Sequence, residues 1–149
     1  RYITMVKRFE KTHTCPFCHE RPEHIIEESK HFMILPARAQ YVKHHILIVP
    51  KRHVNILATL THAEHAELYK LVDKRASKLH TKHKDVSLLL RDGLVNDPKI
   101  GKSINHLHFH LLPDIGVHIQ SDKASEDRTR LEDNAYERVT ESYRKAFLS

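Results

Sequence analysis

The chain has 149 residues, 40% of them hydrophobic and 30% charged, which suits one soluble domain able to bury roughly 70% of its unfolded surface. The formal net charge of +6 with histidines neutral reads either as a generic basic surface or as an attraction for nucleotides, polyphosphates or nucleic acid. No apolar run approaches the ~20 residues that span a bilayer, and the opening RYITMVKRFEKTH is too charged for a signal peptide, although the start at Arg1 leaves a removed leader open; the expectation, resting on the paired cysteines, is a cytoplasmic protein, with no membrane partner.

In chain order, the first feature is HTCPFCHE, which holds the only two cysteines, Cys15 and Cys18. The pair reads as a redox motif, as a haem site when His19 is included, or as half of a zinc site needing two further ligands. Residues 31–35 (HFMIL) and 45–49 (HILIV) read as strands, closed by Pro36 and Pro50. Thr61-His62-Ala63-Glu64 is a capping-box pattern. Leu68, Leu71, Val72, Ala76 and Leu79 follow it at helical spacing. Residues 86–90 (VSLLL) read as a further strand, and residues 104–112 as a fourth. The charged stretch 120–130 reads as a loop. Leu131, Ala135, Val139, Tyr143 and Phe147 then recur every four residues as the stripe of a C-terminal helix. All three glycines, Gly93, Gly101 and Gly116, flank the last two strands, where tight backbone geometry is needed. The loop joining those strands has no helical pattern, which predicts antiparallel pairing and an α+β domain.

SINHLHFHLLP, residues 103–113, places His106, His108 and His110 at every second position. On a strand they project to one side, while Leu107, Phe109 and Leu111 point into the core. Imidazoles grouped in this way can bind a metal ion or handle phosphate. In the second case a neutral ring attacks phosphorus and a neighbouring imidazolium stabilises charge on the phosphoryl oxygens.

Ser103-x-x-His106-x-His108-x-His110, followed by two apolar residues, resembles the histidine-triad (HIT) superfamily of nucleotide hydrolases and transferases. HHILIVPKRH at 44–53 is similar to the family's upstream strand, which ends in Pro-Lys-(Lys/Arg)-His. CPFC at 15–18 is similar to the cysteine pair of its zinc-bearing branches. The resemblance implies one HIT-like α+β domain over residues 1–149: an antiparallel sheet of about five strands, a long helix after Asn55 and a C-terminal helix. It implies a structural zinc held by Cys15, Cys18, His53 and His106, with His13 or His19 as the rival ligand. It makes His108 the nucleophile at the α-phosphorus of a nucleotide and His110 a phosphate-binding and orienting residue. Ser103 becomes a hydrogen-bonding partner of a phosphate or leaving-group oxygen, and His45 a buttress behind the triad.

The chain also departs from the family pattern. Lys102 stands where many members have glutamine, as a cation beside the phosphates or as a solvent-facing side chain. Ala37 stands near the family's ribose-binding residue, which leaves Arg38 or Gln40 to take that contact. Asn96 corresponds to the family's loop asparagine. Many relatives are homodimers, so Leu68, Leu71 and Leu79 serve either the core or a dimer interface.

The function implied is hydrolysis of nucleotide phosphoanhydride or phosphoramidate bonds, of the dinucleoside polyphosphate type, through a nucleotidyl-histidine intermediate. Retention of His110, where the uridylyltransferase-like branch has glutamine, favours hydrolysis over obligate transfer and leaves a phosphorylase open. The alternatives are an aprataxin-like DNA-adenylate hydrolase, a non-enzymatic nucleotide-binding protein and a metallohydrolase using the triplet itself. The basic charge suits the aprataxin-like reading, but the chain has no cysteine after Cys18 for that branch's C-terminal zinc finger. Nucleic acid is therefore the less favoured partner. Paired thiols beside metal ligands suit a reduced compartment.

Overall fold

The computed structural model describes residues 15–93, 104–115 and 129–148. Five strands form one antiparallel sheet in the order β1-β2-β3-β5-β4. They are β1 (Glu27–Glu28), β2 (Phe32–Pro36), β3 (Ile46–Pro50), β4 (Val86–Leu90) and β5 (Phe109–Pro113). Helix α1 (His62–His80) lies between β3 and β4, and α2 (Asp133–Leu148) closes the described chain. Among the described residues no helix is long and apolar enough to cross a membrane.

Strands β2 and β3 are buried along their whole length, because both faces of the sheet are covered; this is why FMILP and ILIVP show no polar alternation. On one face Phe32, Ile34, Ile46, Ile48, Phe109 and Leu111 pack with Leu68, Leu71 and Leu79 of α1 and with Tyr143 and Phe147 of α2. On the other, Met33, Leu35, Leu47 and Val49 pack with Phe17, Ile25 and Ala37. Leu68, Leu71 and Leu79 thus belong to the core of a single chain.

The structure differs from the sequence expectation in three places. β1 is two charged residues, and pairing with Ile34 and Met33 makes it a strand; Lys74 (2.9 Å) and Arg75 hold Glu27. The last strand begins at Phe109, not at residue 104. Pro50 has no N–H to extend the β3–β5 ladder, and its carbonyl accepts the His106 side chain at 2.7 Å. The Leu107 N–H turns away to Val54 O at 2.6 Å. Finally, α2 buries Tyr136, Thr140, Tyr143 and Phe147, while Leu131, Ala135 and Val139 are half-buried. A spacing of four drifts around a helix that repeats every 3.6 residues.

The capping box forms as expected: Glu64 N–H donates to Thr61 Oγ1 (3.1 Å) and Thr61 N–H to Glu64 Oε1 (2.9 Å). The Arg52 guanidinium also binds the buried Glu64 carboxylate, with Nη2 2.9 Å from Oε1. That contact, with the cap, holds the Glu64 pKa down to about 2. The folded value lies below the unfolded value of ~4.3, so the stabilisation is complete above that pH and is lost as pH falls toward 2. Urea midpoints measured between pH 5 and 2 should therefore fall more steeply for wild type than for Glu64→Gln. Parallel curves would show that the ion pair contributes nothing.

Candidate functional site

The turn Pro16–His19 is closed by Cys18 N–H donating to Cys15 O (3.2 Å), which brings both thiols toward β3 and β5. Cys18 Sγ lies 3.2 Å from His53 Nδ1, and Cys15 Sγ 3.3 Å from His106 Nδ1. The four ligand atoms of Cys15, Cys18, His53 and His106 all lie within 4.8 Å of one another and could hold a metal ion. The His106 ring is arranged for this. Its Nε2–H donates to Pro50 O (2.7 Å), leaving the Nδ1 lone pair toward the thiols. Burial lowers its pKa to about 4, so the ring is neutral at pH 7. Burial, and then the neighbouring Cys15, raise the Cys18 pKa to about 11. Of the rival ligands, His19 is exposed and lines the adjacent cleft, and His13 lies outside the described residues.

The other two triad histidines face that cleft, which encloses about 200 Å³. His108 Nδ1–H donates to the carbonyl of His106 at 2.7 Å, so its lone pair is on Nε2. His110 is set from behind. The Tyr41 backbone N–H donates to His45 Nδ1 (3.3 Å), which puts the His45 proton on Nε2. That Nε2–H donates to His110 Nδ1 at 2.9 Å, leaving the His110 proton on Nε2. The His108 and His110 ring centroids are 4.9 Å apart. One ring thus carries a lone pair and its neighbour an N–H donor. His45 is fully buried.

Phe17 joins the two halves. Its ring centroid is 5.7 Å from that of His106 and 5.2 Å from that of His108. Arg38 also lines the cleft, but its guanidinium lies 4.5 Å over the Tyr136 ring, with Nη2 3.2 Å from His24 Nδ1. Gln40 points elsewhere, accepting the Tyr143 hydroxyl at 2.9 Å. Ala37, just after β2, lines the cleft but has no side-chain polar atom for a ribose contact. Asn96, Lys102 and Ser103 lie outside the described residues. Sequence reasoning missed Tyr136, which α2 brings to the cleft from far along the chain. It also missed Tyr41, which acts through its backbone and so leaves no residue-type signal.

The HIT domain family model matches residues 19–116, and the chain belongs to that family. It is 36% identical over 69 residues to the bifunctional bis(5'-adenosyl)-triphosphatase/adenylylsulfatase FHIT of Arabidopsis thaliana, covering 46% of this chain and 37% of that protein. It is 31% identical over 94 residues to the nitrilase and fragile histidine triad fusion protein NitFhit of Caenorhabditis elegans, covering 61% of this chain and 20% of that one. The chain thus spans well under half of either relative. The crystal structure of the C. elegans NitFhit protein superposes with a TM-score of 0.66 at 22% identity, over 85% of this chain and 28% of that chain. A Zn-bound histidine triad family protein from Mycobacterium smegmatis superposes with a TM-score of 0.57 at 15% identity, over 91% of this chain and 99% of that one.

Cys18 is a thiol at pH 7 and must become a thiolate to bind a metal. Adding zinc to metal-free protein at pH 7 should therefore release protons into a weakly buffered indicator solution, and Cys18→Ser should release fewer. Metal uptake without proton release would contradict the assignment.

Proposed function

We propose that the chain is a nucleotide hydrolase cleaving phosphoanhydride or phosphoramidate bonds, of the dinucleoside polyphosphate type, with His108 as nucleophile. The observation that carries this is the 2.7 Å hydrogen bond from His108 Nδ1–H to the His106 carbonyl. It leaves Nε2 as the attacking atom. It also stabilises the positive charge that the ring acquires as the N–P bond forms. In the first step His108 Nε2 bonds to the α-phosphorus, and the bond to the leaving group breaks with its electron pair. In the second, water forms the new P–O bond and the N–P pair returns to Nε2. A phosphate leaving group departs as its anion, an amine takes a proton from solvent as it departs in the first step, and the proton of the attacking water passes to solvent.

His110 Nε2–H donates to a phosphoryl oxygen in both steps, and His45 keeps that proton in place. Ser103 is assigned to the leaving-group oxygen and Lys102 to the phosphate charge, with Arg38 and Asn96 as further substrate contacts. The name of the Arabidopsis relative, a bis(5'-adenosyl)-triphosphatase, supports the substrate class. Cys15, Cys18, His53 and His106 would hold zinc, which would cross-link the N-terminal turn to the segments beside β3 and β5.

His108→Asn should lower turnover of diadenosine tri- and tetraphosphate and of adenosine phosphoramidate by about a thousandfold or more, as loss of a nucleophile does. Phosphate or nucleotide release by chromatography gives the rate. Equal turnover by variant and wild type would end this reading.

A further inference from the structure

The cleft wall holds a buried acidic group that the chemistry above does not use. The Glu20 side chain is 10% exposed and lines the same cleft as His108 and His110. Its Oε1 accepts from His24 Nδ1–H at 2.6 Å and lies 3.8 Å from Arg38 Nη2. Among the described residues no hydrogen-bond donor reaches Oε2. That oxygen is not fully enclosed, and the Glu20 side chain to which it belongs lines the cleft. A nine-tenths buried, cleft-lining carboxylate with one oxygen satisfied and the other accessible is suited to a ligand donor.

The surroundings narrow the class of donor. A carboxylate repels phosphate oxygens, so the phosphates cannot lie against Glu20; they belong with the His108 and His110 end. Arg38 already balances the Glu20 charge, and Arg38 is fixed by its place over Tyr136 and its 3.7 Å approach to Asp133. A second cation therefore gains little there, while the Oε2 lone pairs still accept from a neutral O–H or N–H.

Resting on the nucleotide reading above, we propose that Glu20 is a specificity-determining residue that accepts a hydrogen bond from a neutral donor on the nucleoside end of the ligand. A sugar hydroxyl and a base amino group share this chemistry.

The test is equilibrium binding by calorimetry at fixed salt, which needs no turnover. Adenosine monophosphate is compared with its 2'-deoxy and 3'-deoxy analogues and with inosine monophosphate, which lacks the amino group. Wild type should bind one of the three analogues about tenfold more weakly than adenosine monophosphate, and the analogue affected identifies the donor. Glu20→Gln keeps an oxygen for His24 and turns an amide N–H₂ toward the cleft. In that variant adenosine monophosphate should bind about tenfold more weakly and the difference from that analogue should vanish. Circular dichroism and an unchanged unfolding midpoint check that the variant is folded, and Glu20→Ala should show the same loss of discrimination. If wild type binds all four ligands equally, or if Glu20→Gln binds as wild type does, the role of Glu20 is overturned while the nucleotide reading stands. If adenosine monophosphate does not bind, both fall.

Discussion

The 2.7 Å hydrogen bond from His108 Nδ1–H to the main-chain carbonyl of His106 leaves the ring's lone pair on Nε2, and much of the site is arranged to keep it there. Main-chain groups set the neighbouring rings as well. The Pro50 carbonyl takes the His106 Nε2–H, which sends the His106 lone pair to the thiols. The Tyr41 N–H fixes His45, and His45 fixes His110. Two of the three adjacent imidazoles, His106 and His108, thus receive opposite tautomers directly from backbone carbonyls, and His110 receives its own through the His45 side chain. Neutral imidazole tautomers differ little in free energy, so a single well-placed carbonyl or N–H is enough to choose between them.

This arrangement depends on where the sheet stops. Pro50 ends the β3–β5 ladder because it lacks an N–H. The carbonyl it would have used in the ladder is then available to His106, and the chain before Phe109 can bend. His106 therefore turns toward the cysteines while His110, within β5 and opposite Leu47, stays on the cleft side. Phe17, in the turn between the two cysteines, packs on both His106 and His108. The cysteine turn and His108 are thus parts of one packed unit, and a metal ion held by the four ligands would tighten both together.

Much of this was legible in the residues. The capping box at Thr61 and Glu64 is a local device with a local signature, and it forms as read. Leu107, Phe109 and Leu111 all reach the core as read, although only Phe109 and Leu111 are in the ladder. The cysteine pair needs two partners, and the family resemblance placed them at His53 and His106, which the structure brings together. Other features had no local signal. β1 is made of two glutamates that become a strand only through pairing with β2. The stripe read for α2 holds at Tyr143 and Phe147, but a spacing of four drifts off the buried face toward the start of the helix, where Tyr136 and Thr140 are buried instead. Glu20 looks like an ordinary surface acid beside a histidine-rich turn; only the fold shows that it is nine-tenths buried in the cleft wall.

The most direct measurement is a long-range ¹H–¹⁵N correlation spectrum of the histidine rings near neutral pH, with assignments from single-histidine variants. It reads which nitrogen of each ring carries the proton. The expected result is His108 protonated on Nδ1, with His106, His45 and His110 protonated on Nε2. His108 protonated on Nε2, or rapid exchange between its two tautomers, would contradict the claim that the backbone presents its lone pair for attack.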